Sequence, residues 1–312
     1  MPFFNLIYLN NLILDKKKIK IYTLGMETLE LDIAKGQLSL MLDEITFDDK
    51  EEEHTLLPSD KLIKAENHDW VGNEVLFVVV RAQNKFLSND LPSLRLCGKK
   101  MIDWVRLAGR DCQQTIIDDS EDVLAQVREI ATDKKYIAIF YSDTPLFNKS
   151  SFHKIMDYFS SKNINFLQLS RGYVVKTEFL KTRSNFMQGA IAGFEVEGLV
   201  RADSAKTIAS MQNIINSKIL SFHENNGVVI FGKNTVFIDA DVEIENGVII
   251  YPNNMIQGES VIAGGSILES GNIIKNSIIS NNCRICASYI EKSKVGIGVE
   301  VKPFSKIIEE EI

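Results

Sequence analysis

In the last third of the chain, aliphatic residues recur at a spacing that neither a helix nor a strand produces. Ile238, Ile244, Ile250, Ile256, Ile262, Leu268 and Ile274 lie six residues apart. The register continues in steps of five or six through Ile279, Ile285, Ile290, Val295, Val301 and Ile307. Helix faces repeat about every 3.6 residues and strand faces every second residue, so this period belongs to a stack of short strands joined by turns. It predicts a parallel β-helix of hexapeptide repeats, with the aliphatic residues pointing inward as ladders. Gly258, Ser260, Gly264, Gly265, Ser266 and Gly271 suit its tight corners. A β-sandwich would alternate with period two and turn about every 8 to 12 residues, which the thirteen aliphatic positions in register do not do. The period speaks to fold and not to function. Flat solenoid faces need covering, however, and oligomerisation is expected.

Upstream, the pattern changes twice. "TLELDIAKGQLSLML" alternates at Leu29, Leu31 and Ile33, then at Leu38, Leu40 and Leu42, which predicts a hairpin in a small β-rich unit over 1–72. The acidic "DEITFDDKEEEH" after it reads as solvated surface. "VLFVVV" from Val75 and "YIAIFY" from Tyr136 are continuous β-branched and aromatic runs, as in parallel strands buried on both faces. Between them, Val123, Val127 and Ile130 have helical spacing, so 73–200 predicts an α/β layer. "FNKSSFHKIMDYFSSK" is a second helical pattern, followed by the short apolar runs "INFLQL" and "GYVVK". A connecting helix over 201–226 is capped by Asp203 or Ser204, buries Ile208, Met211 and Ile215, and closes at "NNG". The β-helix fills 227–308.

Composition narrows the partner. Asp and Glu outnumber Lys and Arg by 42 to 35 in 312 residues, a net charge of -7, so no domain-wide basic footprint argues for nucleic acid. No segment approaches the ~20 apolar residues that span a bilayer. The opening "MPFFNLIYLNNLILDKKK" carries its charges after the apolar run and reads as a strand, not a signal peptide. Cys97, Cys112, Cys283 and Cys286 are too scattered for a disulfide framework and point to a reducing, cytoplasmic setting. Cys283 and Cys286 form a C-x-x-C without a second pair for zinc; inside the hexapeptide register they read as small coil residues. The four histidines show no metal-ligand spacing. A small molecule or another protein is the expected partner.

The run from "INSKILSFHENNG" to "VKPFSKI", with "EVEGLVRADSAKT" before it, resembles the junction and first coils of the bacterial bifunctional N-acetylglucosamine-1-phosphate uridyltransferase and glucosamine-1-phosphate acetyltransferase family. The resemblance covers about residues 195 to 307. It implies an α/β nucleotidyltransferase-like (Rossmann-like) domain, a long connecting helix and a left-handed parallel β-helix that forms a homotrimer. It also implies UTP and a sugar phosphate bound over a Gly-rich loop, with Mg²⁺ held by an Asp and an Asn. The chemistry is coherent: attack of a sugar phosphate on a nucleotide α-phosphate needs backbone N–H groups and Lys or Arg to bear phosphate charge. It also needs a carboxylate to seat the metal.

Carried over residue by residue, "IAIFYSDTPLF" is similar to the family's second strand and metal motif. The resemblance places Tyr141 at the uracil-facing or sugar-facing position and Asp143 at the metal-ligating one. "VVVRAQNKFLSNDLPSLRLCGKKMIDWV" keeps the frame of the family's first motif, with Ala82 as the substrate-binding residue after the strand. Other positions depart from the family. Gln83, Asn84 and Phe86 stand where glycines, threonine and arginine cradle the triphosphate, and Val200 stands where the Asn ligand is expected. Lys85, Lys99 and Lys100 are nearby and read as solvated. An Asp after a strand also serves as a turn or helix cap. The family's acetyltransferase residues lie in later coils than "FSKIIEEEI", so no acetyl transfer is expected, and His223 reads as a helix-face residue. Two readings follow. One is a nucleotidyltransferase of the UDP-N-acetylglucosamine pyrophosphorylase type that uses Mg²⁺ at Asp143. The other is a non-catalytic relative that binds a nucleotide-sugar, a sugar phosphate or a protein while its β-helix assembles the oligomer.

Overall fold

The computed structural model describes residues 70–83, 90–120, 122–182, 194 and 196–312, together with the backbone of three strands nearer the N-terminus. The chain divides into two compact units, Met1–His54 and Thr55–Ile312. In the first, β1 (Ile13–Asp15), β2 (Lys18–Tyr22) and β3 (Thr28–Asp32) form an antiparallel sheet in that order. The run that alternates at Leu29 and Leu31 is therefore a strand, paired with β2. Its expected hairpin partner at 38–42 and the acidic stretch after it lie outside the described residues.

The second unit begins with an α/β layer. Its sheet comprises β4 (Val75–Arg81), β7 (Gln113–Asp118), β8 (Tyr136–Tyr141), β9 (Phe166–Leu169) and β10 (Gly172–Lys176), in the order β7-β4-β8-β10-β9. β4 runs parallel to both neighbours, while β10 is antiparallel to β8 and to β9. A small hairpin of β5 (Arg95–Leu96) and β6 (Lys99–Lys100) leads into α1 (Met101–Ala108). The other helices of this layer are α2 (Val123–Arg128), α3 (Lys149–Ser161) and α4 (Thr177–Thr182).

β4 as far as Val80, and β8 throughout, consist of apolar and aromatic residues because both their faces are covered. Val75, Phe77 and Val79 with Ala138 and Phe140 pack under α1 and α3, where Phe77, Phe140, Phe147 and Phe152 form one aromatic cluster. The alternate residues Leu76, Val78, Val80, Ile137 and Ile139 face Val123, Val127 and Leu180 of α2 and α4. Strand side chains alternate between faces, so a doubly covered strand needs apolar residues at every position.

α5 (Ala205–Asn225) connects the layer to the β-helix. Ser204 accepts a hydrogen bond from Thr207 N, and the Thr207 hydroxyl accepts one from Ser204 N, a reciprocal cap. Its buried face of Met211, Ile215, Ile219 and Leu220 seals the first coil. Asn216 reaches across, donating to Val236 O at 2.9 Å and accepting from Ile238 N at 3.2 Å. Backbone groups at the open end of the solenoid are thereby paired.

The left-handed β-helix then stacks two five-stranded parallel sheets and one four-stranded sheet. The aliphatic register forms the interior: Ile250, Ile256, Ile262, Leu268, Ile274, Ile279, Ile285, Ile290 and Val295 are completely buried, and only Ile244 of the thirteen is half-exposed. The five-residue steps have a local cause. Asn276, Ala287 and Lys292 turn the corner alone with φ of 45°, 41° and 47°. Each is followed by a serine whose hydroxyl donates to the carbonyl two residues earlier, as Ser277 does to Lys275 O at 2.7 Å. Polar ladders run up the corners: Ser260 Oγ accepts from Ser277 N, and Ser277 Oγ from Ser293 N. Cys283 N donates to Ser266 Oγ, so this cysteine continues such a ladder. All four cysteines are free.

Candidate functional site

In an open α/β sheet, ligands bind beyond the carboxyl ends of the strands, where the strand order reverses. Here the chain passes from β4 to β7 on one side and then to β8 on the other, so that point lies between β4 and β8. Ala82 follows β4 and Ser142 follows β8, and the two ends are tied together. Ala82 N donates to Ser142 Oγ at 2.9 Å, and Ser142 N donates to Val80 O at 2.9 Å. Ala82, far from Tyr141 and Asp143 in sequence, is therefore their close neighbour. Gln83 begins the loop beside them; the rest of the expected phosphate loop, residues 84–89, lies outside the described residues.

Asp143 is 1% exposed, and its carboxylate accepts hydrogen bonds from two arginines. Arg171 donates through Nε to Oδ1 at 3.0 Å and through Nη2 to Oδ2 at 2.8 Å. Arg201 donates through Nε to Oδ2 at 3.1 Å. Arg171 also lies over the Tyr141 ring, with its guanidinium carbon 3.6 Å from the centroid. That ring face is thus covered. Burial pushes the Tyr141 phenol up to about 12, with Tyr173 adding to the rise, so it is a neutral hydrogen-bonding group at neutral pH.

Two glycines deliver the arginines. Arg171 sits in the two-residue turn between β9 and β10. At Gly172, with φ of +144°, a Cβ would lie 2.5 Å from Ile139 O. Only glycine lets the turn press against β8 there. At Gly198, with φ of +89°, a Cβ would lie 2.5 Å from Leu146 O. That close approach brings "LVRA" onto the end of β8, where Ala202 N donates to Asp143 O at 2.7 Å. Val200 lies on the segment that meets Asp143, but its side chain is half-exposed and offers no ligand atom.

A divalent cation at Asp143 requires free carboxylate oxygen and more oxygen ligands around it. Arg171 engages both oxygens and Arg201 adds a second positive charge, so a cation would have to displace two guanidinium groups. Among the described residues no group of three or more His, Cys, Asp or Glu side chains is arranged to hold a metal. The arrangement does not fit Mg²⁺. Arg171 carries no motif of its own, and Arg201, though it lies within "EVEGLVRADSAKT", is not marked there as a site residue. Only the pairing of β10 with β8 and the return of 198–202 reveal them.

The fold defines a class: a doubly covered α/β layer joined by a long helix to a left-handed hexapeptide β-helix. Within it, the chain is similar to bifunctional protein GlmU. It is 30% identical to that of Clostridioides difficile over 61% of this chain and 41% of the relative. With the protein of Clostridium beijerinckii it shares 25% identity over 74% of this chain and 71% of the relative. The chain thus spans well under half the length of the Clostridioides relative. These likenesses bear out the resemblance read from the motif residues. No protein-family model matches the chain. Among solved structures, that of Rv0371c from Mycobacterium tuberculosis H37Rv aligns with 46% of this chain and 98% of its own, at 10% identity and a TM-score of 0.32, too low a likeness to assign anything. No described helix is long and apolar enough to cross a membrane.

Proposed function

We propose that this chain is a sugar-phosphate nucleotidyltransferase-type protein whose α/β layer binds a nucleotide sugar without metal-dependent nucleotidyl transfer, while its β-helix assembles a homotrimer. The arginine clamp on Asp143 carries this reading. Transfer to a nucleotide α-phosphate needs a carboxylate that can seat Mg²⁺, and here that carboxylate neutralises Arg171. Arg201 engages it through Nε alone, so its terminal nitrogens are left to meet the diphosphate oxygens of a ligand. The side chain of Arg201 is 54% exposed, within reach of such a ligand. UDP-N-acetylglucosamine is the ligand that the similarity to GlmU favours. The free cysteines agree with a reducing, cytoplasmic setting.

The test has two arms. Calorimetric titration with UDP-N-acetylglucosamine in EDTA should show binding that weakens about tenfold in Arg201→Gln, the loss of one charge-assisted contact. Incubation with UTP, N-acetylglucosamine 1-phosphate and Mg²⁺ should release no pyrophosphate. Pyrophosphate release abolished by Asp143→Asn would overturn the proposal in favour of an active, metal-dependent transferase. Binding that disappears in EDTA would also count against it.

A further inference from the structure

A cleft of about 670 Å³ lies away from the Asp143 site, where the β5–β6 hairpin, α1, the start of β7 and the first β-helix coil meet. That volume is in the range of small-molecule sites. Five of its lining residues are cationic: Arg95, Lys99, Lys100, Arg106 and Arg110. Among the described lining residues two carboxylates accompany them, and both are engaged: Asp103 pairs with Arg106, and Asp241 with Lys99; Asp239, behind Gly98, adds a third negative charge near Arg95 and Lys99. The lining therefore carries excess positive charge on a chain whose net charge is -7.

Three of the cations, Arg95, Lys99 and Arg106, are held in place. Gln114 accepts from Arg106 Nε at 3.1 Å, and its own amide donates to Arg106 O at 2.8 Å and Gly109 O at 2.9 Å. Arg95 is fixed by a bond to Gly98 O. Asp103, Arg106, Leu107 and Arg110 follow helical spacing, so one face of α1 and its extension forms a wall of the cleft. Gathering like charges in a concave surface is unfavourable unless a counter-ion relieves them, and such a surface concentrates anions. Among the described residues no aromatic ring lines the cleft, so none of them stacks on a base. We infer that this junction cleft binds a small polyanion bearing several phosphate or carboxylate groups, recognised by charge and hydrogen bonding alone, at a site separate from Asp143.

Inorganic tripolyphosphate is a suitable probe for calorimetric titration of the full chain at low and moderate salt. The wild type should bind it more weakly as salt rises. Lys100→Glu and Arg106→Gln should each raise Kd by about tenfold or more, the loss of one charge-assisted contact. Arg201→Gln, at the other site, should leave Kd unchanged. The inference is overturned if both cleft variants bind with the Kd of the wild type, if Arg201→Gln removes the binding, or if the wild type binds no tripolyphosphate. Because neither cleft residue touches Asp143, loss of nucleotide-sugar binding and loss of tripolyphosphate binding are separate results.

Discussion

At the scale of single residues, the site turns on one buried carboxylate and the two charges that hold it. Asp143 is buried, 1% exposed, so the arginines must stabilise its charge and the ion pair with Arg171 is structural. Removing one partner of a buried pair costs about 3 to 5 kcal/mol, because the other charge stays buried alone. Arg201 is more exposed, and water takes over much of its share. Arg171→Met should therefore destabilise the protein by about 3 kcal/mol or more, and Arg201→Gln by less than about 1 kcal/mol. Urea denaturation of the two variants measures the difference, and equal losses would mean that Arg171 is not the principal partner. Asp143 was legible as a candidate only through the resemblance of "IAIFYSDTPLF" to a family motif, because an Asp after a strand pattern fits a turn or helix cap as well. Arg171 was not, because an arginine before a glycine between two short apolar runs carries no sign of which strand end it will meet. Nor was the covered face of Tyr141, which depends on that same arginine.

At the scale of elements, legibility followed the strength of local pattern. β4, β8 and the β-helix coils announce themselves because burial is written into every residue or every sixth one. α1 is short, and β7 has exposed or half-buried residues throughout; neither pattern is strong enough to stand out. α5 was legible in its cap and its apolar face, yet the consequence of one residue on it emerges only from packing. His223 sits near the end of α5, buried, with neither ring nitrogen hydrogen-bonded. Burial lowers its pKa from 6.5 to about 4. The folded state thus resists a proton that the unfolded chain accepts readily. Its contribution is fully present above pH 6.5 and is lost as pH falls from there towards 4, by up to an order of 3 kcal/mol. Relative to His223→Leu, which does not titrate there, the wild type should lose stability on acidification across that window. Curves that stay parallel would show that the histidine is not the proton acceptor.

At the scale of the whole molecule, what faces out of the β-helix matters as much as what faces in. Sheet register stacks Phe237, Met255, Ile273 and Tyr289 in one outward column, and Val229, Ile249 and Ile267 in another. Phe231, in tilted contact with Tyr251, stands exposed beside the second column. Apolar columns on a solenoid face invite burial against another surface, and a closed ring of identical chains meets that need without leaving an open end. The proposed homotrimer should therefore sediment at three times the 35.2 kDa chain mass. Because apolar contact drives it, the assembly should resist salt that screens surface charge. Met255→Asp puts a carboxylate in the middle of the first column, where an interface would have to desolvate it without a partner, and should shift the protein towards monomers. The interior ladder does not include Met255, so the variant's circular dichroism should remain that of the folded chain. A wild-type protein that sediments as a monomer, or a Met255→Asp trimer as tight as wild type, would show that these columns serve something other than self-assembly.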